Sequence, residues 1–147
     1  MVFEYTNAFV TIGSVNFDKL VDFYTKFLEQ KAVILIPNVY AEFNLVGMRL
    51  GIFKPKKTNE SEFEAMSNDS SLCVYAKNKI SLCLEVSNLE DAIAHLTALG
   101  YPPPGNISTA SHGREIYAYD PDGNRLILHQ AATTEQYLSQ FTRVQCL

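Results

Sequence analysis

Cysteine is scarce and badly spaced for pairing: the chain holds Cys73, Cys83 and Cys146, an odd number with no C-x-x-C. That gives neither a disulfide framework nor a zinc knuckle, and the three are read as reduced thiols. Basic runs are equally short. Nothing extends beyond Lys54 to Lys57, and the formal net charge is −4. An electrostatic grip on nucleic acid or on acidic membranes is therefore not expected, which leaves small molecules or proteins as partners. No apolar run approaches the ~20 residues that span a bilayer, and the first residues lack a charged segment followed by an apolar stretch. The expectation is a soluble, cytoplasmic protein.

What is present is apolar content: 47% of 147 residues, enough for one domain with a real core or two small modules sharing one. Residues Phe9 to Ser14 alternate as a strand. Asn16 is placed to cap a helix carrying the stripe Phe17, Leu20, Val21, Tyr24, Phe27 and Leu28, with Asp18 near the positive end of its dipole. Strands are expected over Ala32–Ile36, Tyr40–Leu45 and Met48–Phe53, interrupted at Pro37-Asn38 and at Gly47. From Lys54 to Asn78 the chain is long and polar, which suits a linker, a lid or disorder.

The second half repeats the first. Ile80–Val86 alternates, Asn88 stands as an N-cap, and Leu89, Ala92, Ile93, Leu96 and Leu99 form a stripe ending at Gly100, a natural C′ residue. Sliding the chain by 72 residues lays Phe9 on Ser81, Asn16 on Asn88, Phe17 on Leu89 and Val21 on Ile93. Pro102-Pro103-Pro104 removes three backbone donors and so excludes central ladder there. An extended piece near Ile107 follows, then a strand over Arg114–Tyr119. Asp120-Pro121-Asp122-Gly123-Asn124 combines a fixed φ with a position tolerant of φ > 0, a hairpin turn into a strand from Arg125 to His129. Thr133–Phe141 has the spacing of a short terminal helix. The expected organisation is a single domain over residues 1–147: a β-α-β-β-β module at 8–53, a linker or lid at 54–79, a second module at 80–130, and a C-terminal helix or tail at 131–147.

Period 2 sorts each strand into two faces. Val10, Ile12, Leu50, Ile52, Leu82, Leu84, Leu126 and Leu128 are assigned beneath the helices. The opposite face receives Phe9, Thr11, Arg49, Gly51, Phe53, Ser81, Cys83, Glu85, Arg125, Ile127 and His129, with Glu42, Asn44, Glu115, Tyr117 and Tyr119 added by parity. Aromatics, small residues and a few charges on one face suit a small-molecule site, or packing against a second subunit. A homodimer is expected, because two half-covered sheets leave apolar surface that symmetric pairing would bury.

The terminal hairpin and the repeated strand-helix start resemble the vicinal oxygen chelate superfamily, which includes glyoxalase I, extradiol dioxygenases and bleomycin-resistance proteins. The resemblance spans about residues 8 to 130. It implies an α+β fold in which two β-α-β-β-β modules form a curved mixed sheet with a central cleft. It also implies, for the enzymes, a divalent metal held by His or Glu side chains from the first and fourth strands of both modules. Those positions fall on Phe9, Gly51, Ser81 and Ile127. None is a normal ligand for a divalent metal, and a shift by one residue would point the strand side chains to the other face.

Other chemistry has thin support. His129 with Glu115 or Glu85 is a conceivable relocated metal site; Cys83 beside Ser81 needs a base or a positive charge to act as a nucleophile. Glu42, Glu85 and Glu115 are candidates for acid-base work. His95 and His112 read as ordinary polar residues, and His112-Gly113-Arg114 as a loop within reach of a ligand. No catalytic residue is named, no cofactor is expected, and the balance lies against enzymatic activity.

The expected function is therefore metal-independent binding of a small organic ligand by Phe9, Thr11, Glu42, Arg49, Phe53, Ser81, Cys83, Glu115, Tyr117, Arg125, Ile127 and His129. The alternative is a lyase, isomerase or dioxygenase of the same superfamily, using relocated ligands or Glu and His groups without metal. Arg49 and Arg125 either pair with these glutamates or select a flat ligand bearing an acidic group. Elemental analysis of protein purified without chelator is expected to find well under one equivalent of zinc, nickel, iron or manganese per chain. A full equivalent, removable with loss of an activity, would refute this.

Overall fold

The computed structural model describes residues 3–56 and 80–132. Most of the expected linker or lid at 54–79 and the helix expected over Thr133–Phe141 lie outside them. The chain divides into two compact units, and each is taken by itself.

In the first unit, β1 (Val10–Gly13) leads into α1 (Phe17–Phe27), followed by β2 (Ile34–Ile36), β3 (Tyr40–Leu45) and β4 (Met48–Phe53). The strands form a mixed sheet in the order β1-β4-β3-β2, in which only β1 and β4 run parallel. Val10 lies opposite Leu50 and Ile12 opposite Ile52. The helix covers the face carrying Leu50 and Ile52: these two and Phe43 are fully buried with Leu20 and Tyr24. Full burial of such a side chain contributes about 1.5–3 kcal/mol. Phe23, outside the expected stripe, is buried as well and meets Tyr24 edge-on at 5.1 Å.

The second unit repeats the plan with β5 (Leu82–Glu85), α2 (Leu89–Ala98), β6 (Ser108–Ala110), β7 (Gly113–Tyr119) and β8 (Arg125–Ala131). Its sheet order is β5-β8-β7-β6, and its parallel pair sets Leu82 opposite Leu126 and Leu84 opposite Leu128. Leu89, Leu96, Ile116, Ala118, Leu126 and Leu128 form the core. The two expected modules are thus observed as two four-stranded mixed sheets, each with a helix on one face.

Four of the residues assigned beneath the helices are less covered than expected. Val10 is exposed, and Ile12, Leu82 and Leu84 are only half-buried. They stand on β1 and β5, which are the edge strands of their sheets, where the helix gives less cover than over β4 and β8.

The helix ends show why equal cap residues behave unequally. Asn88 accepts a hydrogen bond from the Asp91 backbone N–H at 2.9 Å, as expected. Asn16 holds the same position on α1, yet its side chain caps nothing. The fully buried Ser14 takes over the turn: its Oγ accepts from the Asn16 backbone N–H at 3.0 Å. At the other end of α2 the N–H of Tyr101 reaches the Leu96 carbonyl and that of Gly100 the Thr97 carbonyl. Gly100 has φ +93°, so the helix closes in a Schellman motif.

The hairpin expected at Asp120 is a turn closed on a buried carboxylate. One Asp120 oxygen accepts from the backbone N–H groups of Asp122 and Asn124, at 3.0 and 2.9 Å, and the other accepts from Asn124 Nδ2 at 2.8 Å. Gly123 alone supplies the positive φ, +82°. Of the expected loop at His112-Gly113-Arg114, His112 lies in the turn between β6 and β7, and Gly113 and Arg114 begin β7. Arg114 is held by both oxygens of Glu90 and by Gln130 Oε1, and Gln130 Oε1 also accepts from the first N–H of α2, that of Leu89. Arg114 and Gln130 therefore fasten helix to sheet.

Replacing Asn88 by Ala is expected to lower stability by about 1 kcal/mol, the usual value of a working N-cap. The same change at Asn16 should cost well under half as much, since only its backbone takes part. Urea denaturation of the two variants checks the difference, and equal losses would contradict the cap assignment.

Candidate functional site

The faces turned away from the helices carry the candidate residues. In the first unit the register sets Tyr40 opposite Phe53, Glu42 opposite Gly51 and Asn44 opposite Arg49, with Thr11 opposite Gly51 on the other side. Glu42 is only 4% exposed although it lies on this face. It is satisfied locally: Tyr40 donates its hydroxyl to Oε1 at 2.8 Å and Arg49 Nη1 donates to Oε2 at 3.2 Å. The guanidinium of Arg49 lies over the Phe9 ring, 4.8 Å from its centroid. Burial first, then the hydrogen bond to Glu42 and its charge, push the Tyr40 hydroxyl above its ordinary value, against a smaller pull from Arg49. At neutral pH it stays a donor. Arg49 is thus paired internally with Glu42.

Tyr40 was not among the candidates, although its parity with Glu42 marks it for the same face. It also explains Gly51. A Cβ at this position would stand 2.7 Å from Tyr40 Oη and 3.1 Å from Thr11 Cγ2. The phenol fills the space a side chain would need, so the fourth strand presents no ligand here.

The second unit carries three rows of residues across β5, β8 and β7. Glu85, His129 and Glu115 form one row, Cys83, Ile127 and Tyr117 the next, and Arg125 and Tyr119 the third. Successive rows are separated by two residues, about 7 Å. Arg125 Nε donates to Ser81 Oγ at 2.7 Å, and its guanidinium lies 5.1 Å from the centroid of the Tyr117 ring. Arg125 thus engages a hydroxyl and a ring, and Arg49 engages a carboxylate and a ring. Tyr117 is 42% exposed and Phe9 47%.

His129 Nδ1 is 3.5 Å from Glu85 Oε1. Its Nε2 is buried with no hydrogen-bond partner among the described residues, and the ring stacks on His112 at 5.4 Å between centroids. A Cβ at Gly113 would come within 3.0 Å of that nitrogen. The stack escaped sequence reading because His112 lies in a turn, where no strand parity applies.

Cys83 is exposed, not a buried inert thiol. Partial desolvation of the sulfur, then the charges of Glu115 and Glu85, push the thiol above its ordinary value. The charges of the described residues that act on it are thus negative, the reverse of the neighbourhood that makes a nucleophile.

The positions implied for a chelated divalent ion do not fit one. Phe9 and Ile127 carry no donor atom, Gly51 has no side chain, and the Ser81 hydroxyl is engaged by Arg125. Among the described residues, no three His, Cys, Asp or Glu side chains converge to hold a metal ion.

No protein-family model matches this chain, and no curated protein matches it in sequence. Solved structures do match it in fold. A glyoxalase/bleomycin resistance protein/dioxygenase from Nocardioides superposes with a TM-score of 0.66 at 19% identity, covering 91% of this chain and 88% of that one. A glyoxalase/bleomycin resistance protein from Catenulispora acidiphila gives 0.60 at 16% identity, over 87% of this chain and 100% of that one. A variant of the fosfomycin resistance protein FosX from Listeria monocytogenes, complexed with manganese(II) and dihydroxypropylphosphonic acid, gives 0.61 at 18%, over 96% and 99%. The fold is that of the vicinal oxygen chelate proteins, as the terminal hairpin and the internal repeat implied. Among the described residues no helix is long and apolar enough to cross a membrane.

With Cys73 and Cys146 replaced by Ser, Cys83 is expected to react with iodoacetamide at pH 8 several times more slowly than free cysteine. Glu115→Gln should speed it, because a negative charge is removed. A rate at or above that of free cysteine, measured by mass spectrometry, would show the electrostatic assignment to be wrong.

Proposed function

We propose that this protein binds a small organic molecule on the sheet faces turned away from its helices, without a chelated divalent metal. The observation that carries the reading is the pairing of half-exposed aromatics with arginines on those faces: Phe9 under Arg49 and Tyr117 beside Arg125. An exposed ring offers stacking area, and the guanidinium offers oriented donors to ligand oxygens. Thr11, Phe53, Ser81, Cys83, Ile127 and Glu115 complete the two surfaces. A molecule of chiefly aromatic character with oxygen substituents suits them. The matching FosX structure holds a phosphonic acid, which supports a ligand rich in oxygen. Binding of this kind needs affinity alone, so no cofactor is required, and association as a homodimer is part of the proposal.

A second reading rests on the row Glu85, His129 and Glu115. An imidazole with a carboxylate near Nδ1 is a common beginning for acid-base catalysis. Here, however, the Nε2 that would exchange a proton is buried near the backbone of Gly113. Proton transfer would require the β6–β7 turn to move, and so binding is preferred.

A panel of aromatic acids, amides and amines, screened by thermal shift and ligand-observed NMR in the presence of EDTA, tests the proposal. Binding in the micromolar to low millimolar range is expected, weakened about tenfold by Phe9→Ala or Tyr117→Ala through loss of stacking area. Absence of any binding, or binding only after metal is added, would overturn it.

A further inference from the structure

We propose that Arg49 is the anchoring cation for ligand oxygens in the first unit, binding a carboxylate through its guanidinium. The inference rests on the small-molecule reading above and names the ligand class: flat aromatic acids.

Three observations support it. The first is position. In the parallel ladder Val10 lies opposite Leu50, so Phe9 and Arg49 are the next neighbours along the two strands, and the guanidinium stands over the ring at the first-strand chelating position. The positive charge therefore stands beside the residue that the resemblance places at the first-strand ligand position. The second is anchorage. Glu42 is nearly inaccessible, and its two oxygens are divided between Tyr40 and Arg49. Such a carboxylate tethers one end of the guanidinium, while the Phe9 ring lies against its face.

The third observation is spare capacity. A guanidinium carries five N–H donors, and only Nη1 is engaged, by Glu42, among the described residues. The side chain is 33% exposed. Two parallel N–H groups on one edge of a guanidinium match the two oxygens of a carboxylate, the same bite that a metal offers to vicinal oxygens. Because Glu42 already balances the charge, affinity should be modest and selectivity should come from geometry. A lysine ammonium, which has no planar fork, should substitute poorly.

The test compares salicylate with salicylamide, which differ in the carboxylate alone, by calorimetric titration and thermal shift in EDTA. Salicylate is expected to bind and salicylamide to bind at least about tenfold more weakly, as loss of a charge-assisted bidentate pair implies. Arg49→Lys should weaken salicylate about as much. Arg49→Gln combined with Glu42→Gln, which leaves no buried charge unpaired, should abolish the preference for the acid. Heteronuclear NMR of the Arg49 Nε–H in the unaltered protein gives a readout free of folding effects, and salicylate should shift that signal while salicylamide should not. Equal binding of acid and amide, an unshifted Arg49 signal, or salicylate affinity within twofold of wild type in the double variant would overturn the inference. If the panel above still yields ligands, the binding proposal survives that failure. If neither salicylate, salicylamide nor any panel member binds, both fall together.

Discussion

Each unit depends on one pairing: its first strand lies parallel to its fourth, Val10 against Leu50 and Leu82 against Leu126. Parallel neighbours cannot be joined by a tight turn, so the chain must leave the sheet and return, and the helix makes that excursion. Once the helix is there, one face is committed to the core and the other cannot be. The antiparallel third strand then brings Glu42 to Gly51 and Tyr117 to Ile127. The chemistry of the uncovered faces follows from a hydrogen-bond register, without help from long loops.

Polar groups on these faces are managed differently in the two units. The first closes a buried carboxylate between a phenol and a guanidinium, so burial is compensated at both oxygens. The second distributes its carboxylates along β5 and β7, where they act through space on Cys83. The arginines at matching register positions each lie against a ring, Arg49 also meeting a carboxylate and Arg125 a hydroxyl.

Much of this was legible in the sequence where the determinant is local. The turn at Asp120 was legible because Pro, Asp, Gly and Asn each impose a backbone requirement within a few residues. The two helices and the assignment of residues to faces followed from period alone, and the internal repeat made the topology readable. Less was legible where the determinant is lateral. Strand order decides that Val10 and Ile12 are edge residues, and a period-2 pattern does not encode order. The continuous apolar run Ala32 to Ile36 yields only a three-residue edge strand, with Ile34, Leu35 and Ile36 about half exposed. Asn16 and Asn88 look alike in sequence, and the buried Ser14 separates them. Tyr40 was passed over because a ring that replaces an absent side chain announces itself only once Gly51 is seen to lie beneath it.

The turns that close the last hairpin of each unit differ in length, Val46-Gly47 in the first and Asp120 to Asn124 in the second. An added residue within a strand would have exchanged its two faces, but confined to a turn it leaves parity untouched. Leu50 and Leu126 both remain in the core, and Arg49 and Arg125 both remain on the opposite side. The molecule consequently carries two independent drafts of one surface in a single polypeptide. Positions such as Arg49 and Arg125, or Leu50 and Leu126, are internal counterparts, so the effect of a side chain can be measured against its twin under identical solvent, concentration and history.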